Sequence, residues 1–232
     1  MRYMADSTKA IDIPVGQFEF VGGYINGDYQ WSVADWARFP GEVKVRINVF
    51  AYVNDGHVLD VELGDATPTQ GVAWVQTRRA SGFDPTIYCG ISDFVKADGS
   101  HGAVRVAFQS AGVTEPHYWV AHYDGDPTPI PGTVAKQYAN PLFTGHHYDK
   151  SVIGGSWPGV EEDMTDDELL AALKRIYSGP DRPEEWVKAD VRVMIQQDPE
   201  TRLAIKQAAG TTAPQPVDVP AIIKSIGAKL SQ

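Results

Sequence analysis

A TIM-like (β/α) barrel of the α/β class, in abbreviated form and followed by a C-terminal helical appendage, is the fold this sequence predicts. Three observations predict it. Short apolar, β-branched and aromatic runs recur at strand length, mostly roughly 15 to 25 residues apart. A helix-patterned segment separates two of them, as a β–α–β unit requires. The runs are nearly continuous in apolar character, which suits parallel strands covered on both faces.

The runs are FEFVGGYI (18–25), VKVRINVFAYV (43–53), HVLDVEL (57–63), PTIYCGI (85–91), AVRVAF (103–108), HYWVAHY (117–123) and TVAKQYA (133–139). Gly, Pro, Asn and Asp punctuate them. Between the third and fourth, TPTQGVAWVQTRRASG (67–82) carries Val72, Val75 and Arg79 at helical spacing, with Thr67 or Thr69 as cap and Gly82 as stop. About seven strands in the first ~150 residues point to a small barrel, with an open doubly wound sheet as the rival. No GxGxxG or GxxxxGK[ST] follows a strand, so nucleotide binding has no support.

The composition shifts near residue 155, which divides the chain into a barrel over 1–155, a helical region over 156–209, and a linker with an amphipathic helix over 210–232. Thr165 and Glu168 form a capping box ahead of a helix bearing Leu169, Leu170, Leu173, Ile176 and Tyr177, which Gly179-Pro180 ends. A second helix is expected from about Pro183 to Gln197, and Asp198-Pro199 opens a third. Beyond the linker GTTAPQPVD, residues Ile222, Ile223, Ile226 and Leu230 make a stripe too narrow to bury itself. It needs the body of the protein or another copy of the chain, so self-association is the expectation.

The chain has 232 residues, 43% of them hydrophobic and 22% charged, enough for a sizeable core. Its net charge of −10 disfavours nucleic acid, whose binding rests on neutralised phosphates, and equally an anionic membrane surface. A neutral or cationic partner, such as a glycan, fits. Cys89 is the only cysteine, which excludes an intrachain disulfide and multi-cysteine zinc sites. The first residues lack the apolar run of a signal peptide, and no stretch approaches the ~20 apolar residues of a membrane helix. Synthesis in the cytoplasm, with outside help for any export, is expected.

The chemistry concentrates in HVLDVELGDATP (57–68). Asp60 and Glu62 lie two apart on a strand, so they share a face, their Cα atoms ~6.6 Å apart. At the carboxyl end of a barrel strand, where catalytic groups collect, two such acids suit glycoside cleavage. One must be protonated to donate to the leaving oxygen. The other must be ionised to stabilise or trap the sugar cation or to activate water. Proximity helps this division, because ionising one acid raises the pKa of the other. The same pattern also occurs on solvated strand faces and in helix-capping turns.

The order DVELGDATP, WVQTRRASGFDPTIYCGIS, YWVAHYDGD and KQYANPLFTGHHYDKSV resembles the family 25 glycoside hydrolases (lysozymes) and their actinobacterial and phage relatives of the DUF1906 type. The resemblance covers roughly residues 18–153, about 60% of the chain. It implies a hydrolase of the muramidase type that needs no cofactor and no metal and cleaves β-1,4 bonds of peptidoglycan. Glu62 would be its general acid and Asp60 the stabiliser of positive charge, on the ring or on an oxazolinium. Asp28 and Asp149 would line the floor and tune them. Tyr123 and Tyr138 would orient the acetamido group or Asp60, with Gln137 in the same motif, and Tyr24 and Trp119 would offer flat surface to a sugar. Lys136 departs from the pattern, which has tryptophan there, and the first strand lacks the family's G-[IV]-D-[IV]-S.

Other candidates are weaker. His146 and His147 beside Asp149 point to opposite faces of an extended chain, which does not make a metal site. Cys89 reads as a small buried hydrophobe. Ser81 and Ser92 lack a nucleophile elbow. Arg46 and Asn48 either hold the carboxylates from inside the barrel or form a polar outer face. Of the aromatics Tyr24, Tyr29, Trp31, Trp36 and Phe39, the last two suit the core best. Two functions stay open: a phage lysin or virion-borne lysin acting at the cell wall, or a non-catalytic structural or glycan-binding virion component assembled through its C-terminal helices.

Overall fold

The computed structural model describes residues 1–160; the helices, linker and amphipathic tail expected beyond them lie outside the described residues. Eight strands, β1 (Arg2–Asp6), β2 (Phe20–Tyr24), β3 (Val43–Asn48), β4 (Val58–Asp60), β5 (Thr86–Gly90), β6 (His117–Ala121), β7 (Ala135–Ala139) and β8 (Asp149–Ile153), close a barrel in chain order. Neighbours from β1 to β7 run parallel. β8 is antiparallel to both β7 and β1, so the closed barrel is mixed. Closure removes the open-sheet alternative.

Alternation along each strand sorts the residues. Met4, Phe20, Ile47, Val58, Tyr88, Trp119, Ala135 and Ile153 form one buried cluster inside the barrel. The intervening positions, Leu59, Val61, Ile87, Cys89, Tyr118 and Val120, pack outward against Val72, Val75, Val104 and Phe108. Those four belong to helices α2 (Pro68–Ala80) and α4 (Ala103–Ser110). Thr67 and Gln70 make a reciprocal capping box with Pro68 in the first turn of α2, and Ser32 and Asp35 do the same for the short α1 (Val33–Ala37). Two more short helices, α3 (Ile91–Phe94) and α5 (Pro141–Thr144), follow β5 and β7.

Six of the seven expected runs carry strands. The exception is AVRVAF (103–108), which forms α4 with Val104 and Phe108 buried four residues apart on one face. A six-residue apolar run is too short for its period to separate helix from strand. Two strands lie outside every expected run, β1 at the start and β8 before residue 155. The barrel is therefore not short of strands. Its economy is in the connections: β3 to β4 and β6 to β7 cross without a helix.

The base of the barrel is plugged from beyond the expected boundary at 155. Trp157 lies fully buried, its ring 5.8 Å from Trp119 and 6.3 Å from Phe20. Its Nε1 donates to Thr86 Oγ1 at 2.9 Å, at the amino end of β5. Val160 joins the same core.

A candidate acidic site at the carboxyl end of the barrel

Seven parallel strands deliver their carboxyl ends to one mouth, and antiparallel β8 delivers its first residue there. Asp6 ends β1, Tyr24 ends β2, Asp60 ends β4, and Asp149 opens β8 as the register partner of Asp6. Tyr88 faces inward from β5 and Gln137 from β7. Gly22 on β2 makes room for this: a Cβ there would lie 2.7 Å from the Cβ of Asp6.

Gln137 is the hub. Its Oε1 accepts from Tyr88 Oη and from Tyr123 Oη, both at 2.7 Å. Its Nε2 donates to Asp6 Oδ2 at 2.8 Å and to Asp149 Oδ2 at 3.2 Å. Hydroxyl donors on one side and carboxylate acceptors on the other fix which way the amide points, and every hydrogen-bonding position it has is used. Below the hub, Tyr88 packs on Trp119 at 4.5 Å, and Trp119 Nε1 donates to Ser151 Oγ.

The acids differ in their surroundings. Asp6 and Asp60 are buried, 5% and 3% exposed, and each keeps one oxygen, Oδ1, with no hydrogen-bond donor. Burial raises both carboxyls well above the usual range. The charge of Asp149 adds to the shift at Asp6, and those of Glu62, Asp65 and Asp6 add to it at Asp60. Glu62 stands solvent-accessible just past β4, and partial desolvation of its carboxyl, then the charges of Asp65 and Asp93, raises it too. Burial and the charge of Glu62 push Asp149 up to about 6. Tyr24 is desolvated beside the same charges, Asp60 and Asp6 foremost, and its phenol is pushed up.

The expected site residues thus separate into two groups. Asp60, Glu62, Asp149, Tyr24, Tyr123 and Gln137 gather at the mouth. Asp28 is exposed on the loop between β2 and α1. The acid that ends the first strand is Asp6, because that strand is β1 and not the run at 18–25. Tyr138 alternates with inward Gln137, so it faces out, where the neighbouring phenols are Tyr3 and Tyr148. Trp119 is 1% exposed and supports the floor instead of offering a platform.

Arg46 and Asn48 are on the outer face. Arg46 pairs with Asp55, and Asn48 ties the β3–β4 connection through Asn26, Val53 and Asp55. Lys136 is also outward and buried, its Nζ 2.8 Å from Asp124 Oδ2 and 2.8 Å from the Asp126 carbonyl. It pins the β6–β7 loop. Trp36 and Phe39 pack with buried Trp31, while Tyr29 is exposed. Cys89 is buried on the outer barrel face with its thiol pushed up, which keeps it a thiol. The His146 ring stacks on Tyr148 at 5.1 Å. Among the described residues no group of three His, Cys, Asp or Glu side chains is arranged to hold a metal, and no helix is long and apolar enough to cross a membrane.

Asp6 and Tyr88 are the functional candidates that sequence reasoning missed. The signal for Asp6 was present in RYMAD, where Met4 and Asp6 alternate inward as Val58 and Asp60 do. For Tyr88 it was the period-two series Thr86, Tyr88, Gly90 inside a run already read as a strand.

No protein-family model matches the chain, and no curated protein matches its sequence. Among solved structures it is similar to the Mycobacterium tuberculosis Tat-secreted protein Rv2525c, determined in complex with HEPES. The identity is 14% and the TM-score 0.36, over 68% of this chain and 98% of that one.

Proposed function

We propose that the mouth is the centre of a glycoside hydrolase directed at peptidoglycan, of the muramidase type and acting at the cell wall. One observation carries the reading: two acids leave the end of β4 together, one buried and one accessible, inside a cluster of further carboxylates. The motif resemblance to family 25 glycoside hydrolases supports the same chemistry.

In the reaction, protonated Glu62, the acid that a bound chain can reach, donates its proton to the glycosidic oxygen as the C1–O bond breaks. The leaving sugar departs as an alcohol, and positive charge spreads over C1 and the ring oxygen. Asp60, deep and poorly solvated, faces that charge as a carboxylate, having passed any proton it holds to solvent as the sugar binds and taking it back as the product leaves, and it stabilises the charge strongly because Coulomb terms grow where water is excluded. Water then adds to C1 and gives its proton to the Glu62 carboxylate, which restores the acid. Tyr123 and Tyr88 hold Gln137, and Gln137 holds Asp6 and Asp149, so the floor stays fixed through the cycle.

A second reading is a non-catalytic glycan-binding component of a virion. It is favoured by the burial of Asp60, which raises its carboxyl well above the usual range and disfavours the ionised partner that cleavage needs. Release of reducing ends from purified peptidoglycan by the wild type and by Glu62→Gln separates the two. Release by the wild type, lost by about 10²–10⁴-fold in the variant, supports the hydrolase. No release by the wild type supports the binding component. Equal release by both would remove Glu62 from its role.

A further inference from the structure

We infer that the β3–β4 connection is a sugar-binding shelf, on which the stacked rings of Phe50 and Tyr52 take a pyranose of the glycan chain away from the bond that breaks. The inference rests on the hydrolase reading above for the chemistry of that chain.

Ala51 packs against the core cluster that holds Leu59 and Trp74. Phe50 and Tyr52, on either side of it, turn to solvent and are 37% and 84% exposed. Their ring centroids lie 5.3 Å apart, with the planes 13° from parallel. Phe50 therefore covers one face of Tyr52, and the high exposure of Tyr52 leaves its other face open. Aromatic pairs such as Trp31–Phe39 and Tyr88–Trp119 are instead core contacts.

The stack is held in place by a fully buried amide, that of Asn48. Its Nδ2 donates to the carbonyls of Val53 and Asp55 at 3.0 and 3.1 Å. Its Oδ1 accepts from the Phe50 N–H at 2.8 Å and from Asn26 Nδ2 at 2.7 Å, so every hydrogen-bonding position is used. From α2, Trp74 Nε1 and Arg78 Nη1 donate to the carbonyls of Val53 and Asn54. Fixing rings that stay in water gains the fold little burial, but it removes an ordering cost from binding.

The shelf adjoins the mouth. Phe50 is the second residue past the carboxyl end of β3, and Glu62 is the second past that of β4, its parallel neighbour ~4.8 Å away. Size and chemistry select the occupant. A β-linked pyranose has flat faces of axial C–H groups, about as broad as a tyrosine ring, and carries its hydroxyls at the edge. Exposed Asn54 and Asp55 follow Tyr52 in the chain and offer polar neighbours to those hydroxyls. Two rings present at most ~500 Å², short of the ~800 Å² that each partner gives to a stable protein interface.

The test is calorimetric titration with peptide-free glycan strands prepared from peptidoglycan, in the Glu62→Gln protein so that the strands stay intact. Adding Tyr52→Ala should weaken binding at least about tenfold. Adding Tyr52→Phe, which keeps the ring face, should hold affinity within about twofold, as should Val106→Ala on the outer helix layer. Matching urea midpoints are expected throughout, since Tyr52 is exposed. Equal binding by the Tyr52→Ala protein, a loss with Tyr52→Phe as large as with Tyr52→Ala, or no binding by any of these proteins overturns the inference. So does a dimer in sedimentation equilibrium that Tyr52→Ala dissociates, which would assign the rings to a second copy of the chain. Reducing-end release by the protein with Glu62 intact separates the two claims. Release, with strand binding unaffected by Tyr52→Ala, leaves the hydrolase standing and the shelf wrong. Strand binding lost with Tyr52→Ala, without release, leaves the shelf standing and the hydrolase wrong.

Discussion

Asp6 and Asp149 sit opposite each other where β1 meets β8, and the side-chain amide of Gln137 donates to both. The strand that closes the barrel is the antiparallel one, so its first residue meets the last residue of β1. Two carboxyls are thereby held together in a poorly solvated place, where each disfavours ionisation of the other, with one neutral amide between them and the phenols.

Asp149→Asn should change the pH dependence of stability. Its folded carboxyl titrates at about 6, above the ordinary unfolded value. The folded state therefore binds the proton more tightly than the unfolded one. The associated stability is full below about pH 4 and is lost as pH rises through about 6. Urea unfolding at several pH values should show the wild type losing stability between about pH 4.5 and 6.5, and the variant flatter over that window. At pH 7 the variant should be the more stable by about 1–2 kcal/mol, reduced from the full shift because the group keeps some solvent. Parallel profiles would show that Asp149 has an ordinary pKa.

Gly22→Ala should damage the site by pushing on Asp6. The added carbon meets the first carbon of the Asp6 side chain, which cannot swing away without moving β1. Overpacking of this kind costs about 1–3 kcal/mol. The expected result is a lower unfolding midpoint together with at least a tenfold drop in reducing-end release from peptidoglycan. Wild-type activity and stability would mean that β1 and β2 are not held as closely as described.

Lys136→Met should free the β6–β7 loop. Lys136 Nζ joins Asp124 and the Asp126 carbonyl beneath that loop, and Asp124 follows Tyr123, whose hydroxyl holds Gln137. Removing the amine leaves Asp124 with His122 and the Asp126 backbone N–H, and should cost about 1–3 kcal/mol, less than a fully buried pair because Asp124 is partly solvated. Denaturant unfolding of Lys136→Met and Lys136→Arg checks this. Unchanged stability in Lys136→Met would make the pair dispensable.

Asp60 was legible as the end of an apolar run; Glu62, expected on the same strand face, lies past the end of β4 in a bend, so strand alternation does not place it. The middle strands were legible from their apolar runs as well. The two that were missed, RYMAD and DKSVI, are five residues long and carry two charged residues each, Arg2 and Asp6 in one and Asp149 and Lys150 in the other, so they read as polar ends instead of barrel staves. Placing the first strand at 18–25 then moved the first-strand acid from Asp6 to Asp28. Trp119 and Tyr138 were misassigned because their side-chain direction depends on closure: alternation fixes that Trp119 and Gln137 face inward, but only the plugged base shows that inward at Trp119 means buried. Lys136 occupies an outward position, where its partner is a loop carboxylate that lies twelve residues back.

The most direct test of the central claim is digestion of purified peptidoglycan by the wild-type protein in ¹⁸O-labelled water, followed by mass spectrometry of the soluble fragments. Glycoside hydrolysis at the Asp60–Glu62 mouth predicts new reducing ends, each carrying one ¹⁸O at the anomeric carbon, and none with Glu62→Gln. Wild-type fragments without labelled reducing ends, or no fragments at all, would contradict the account.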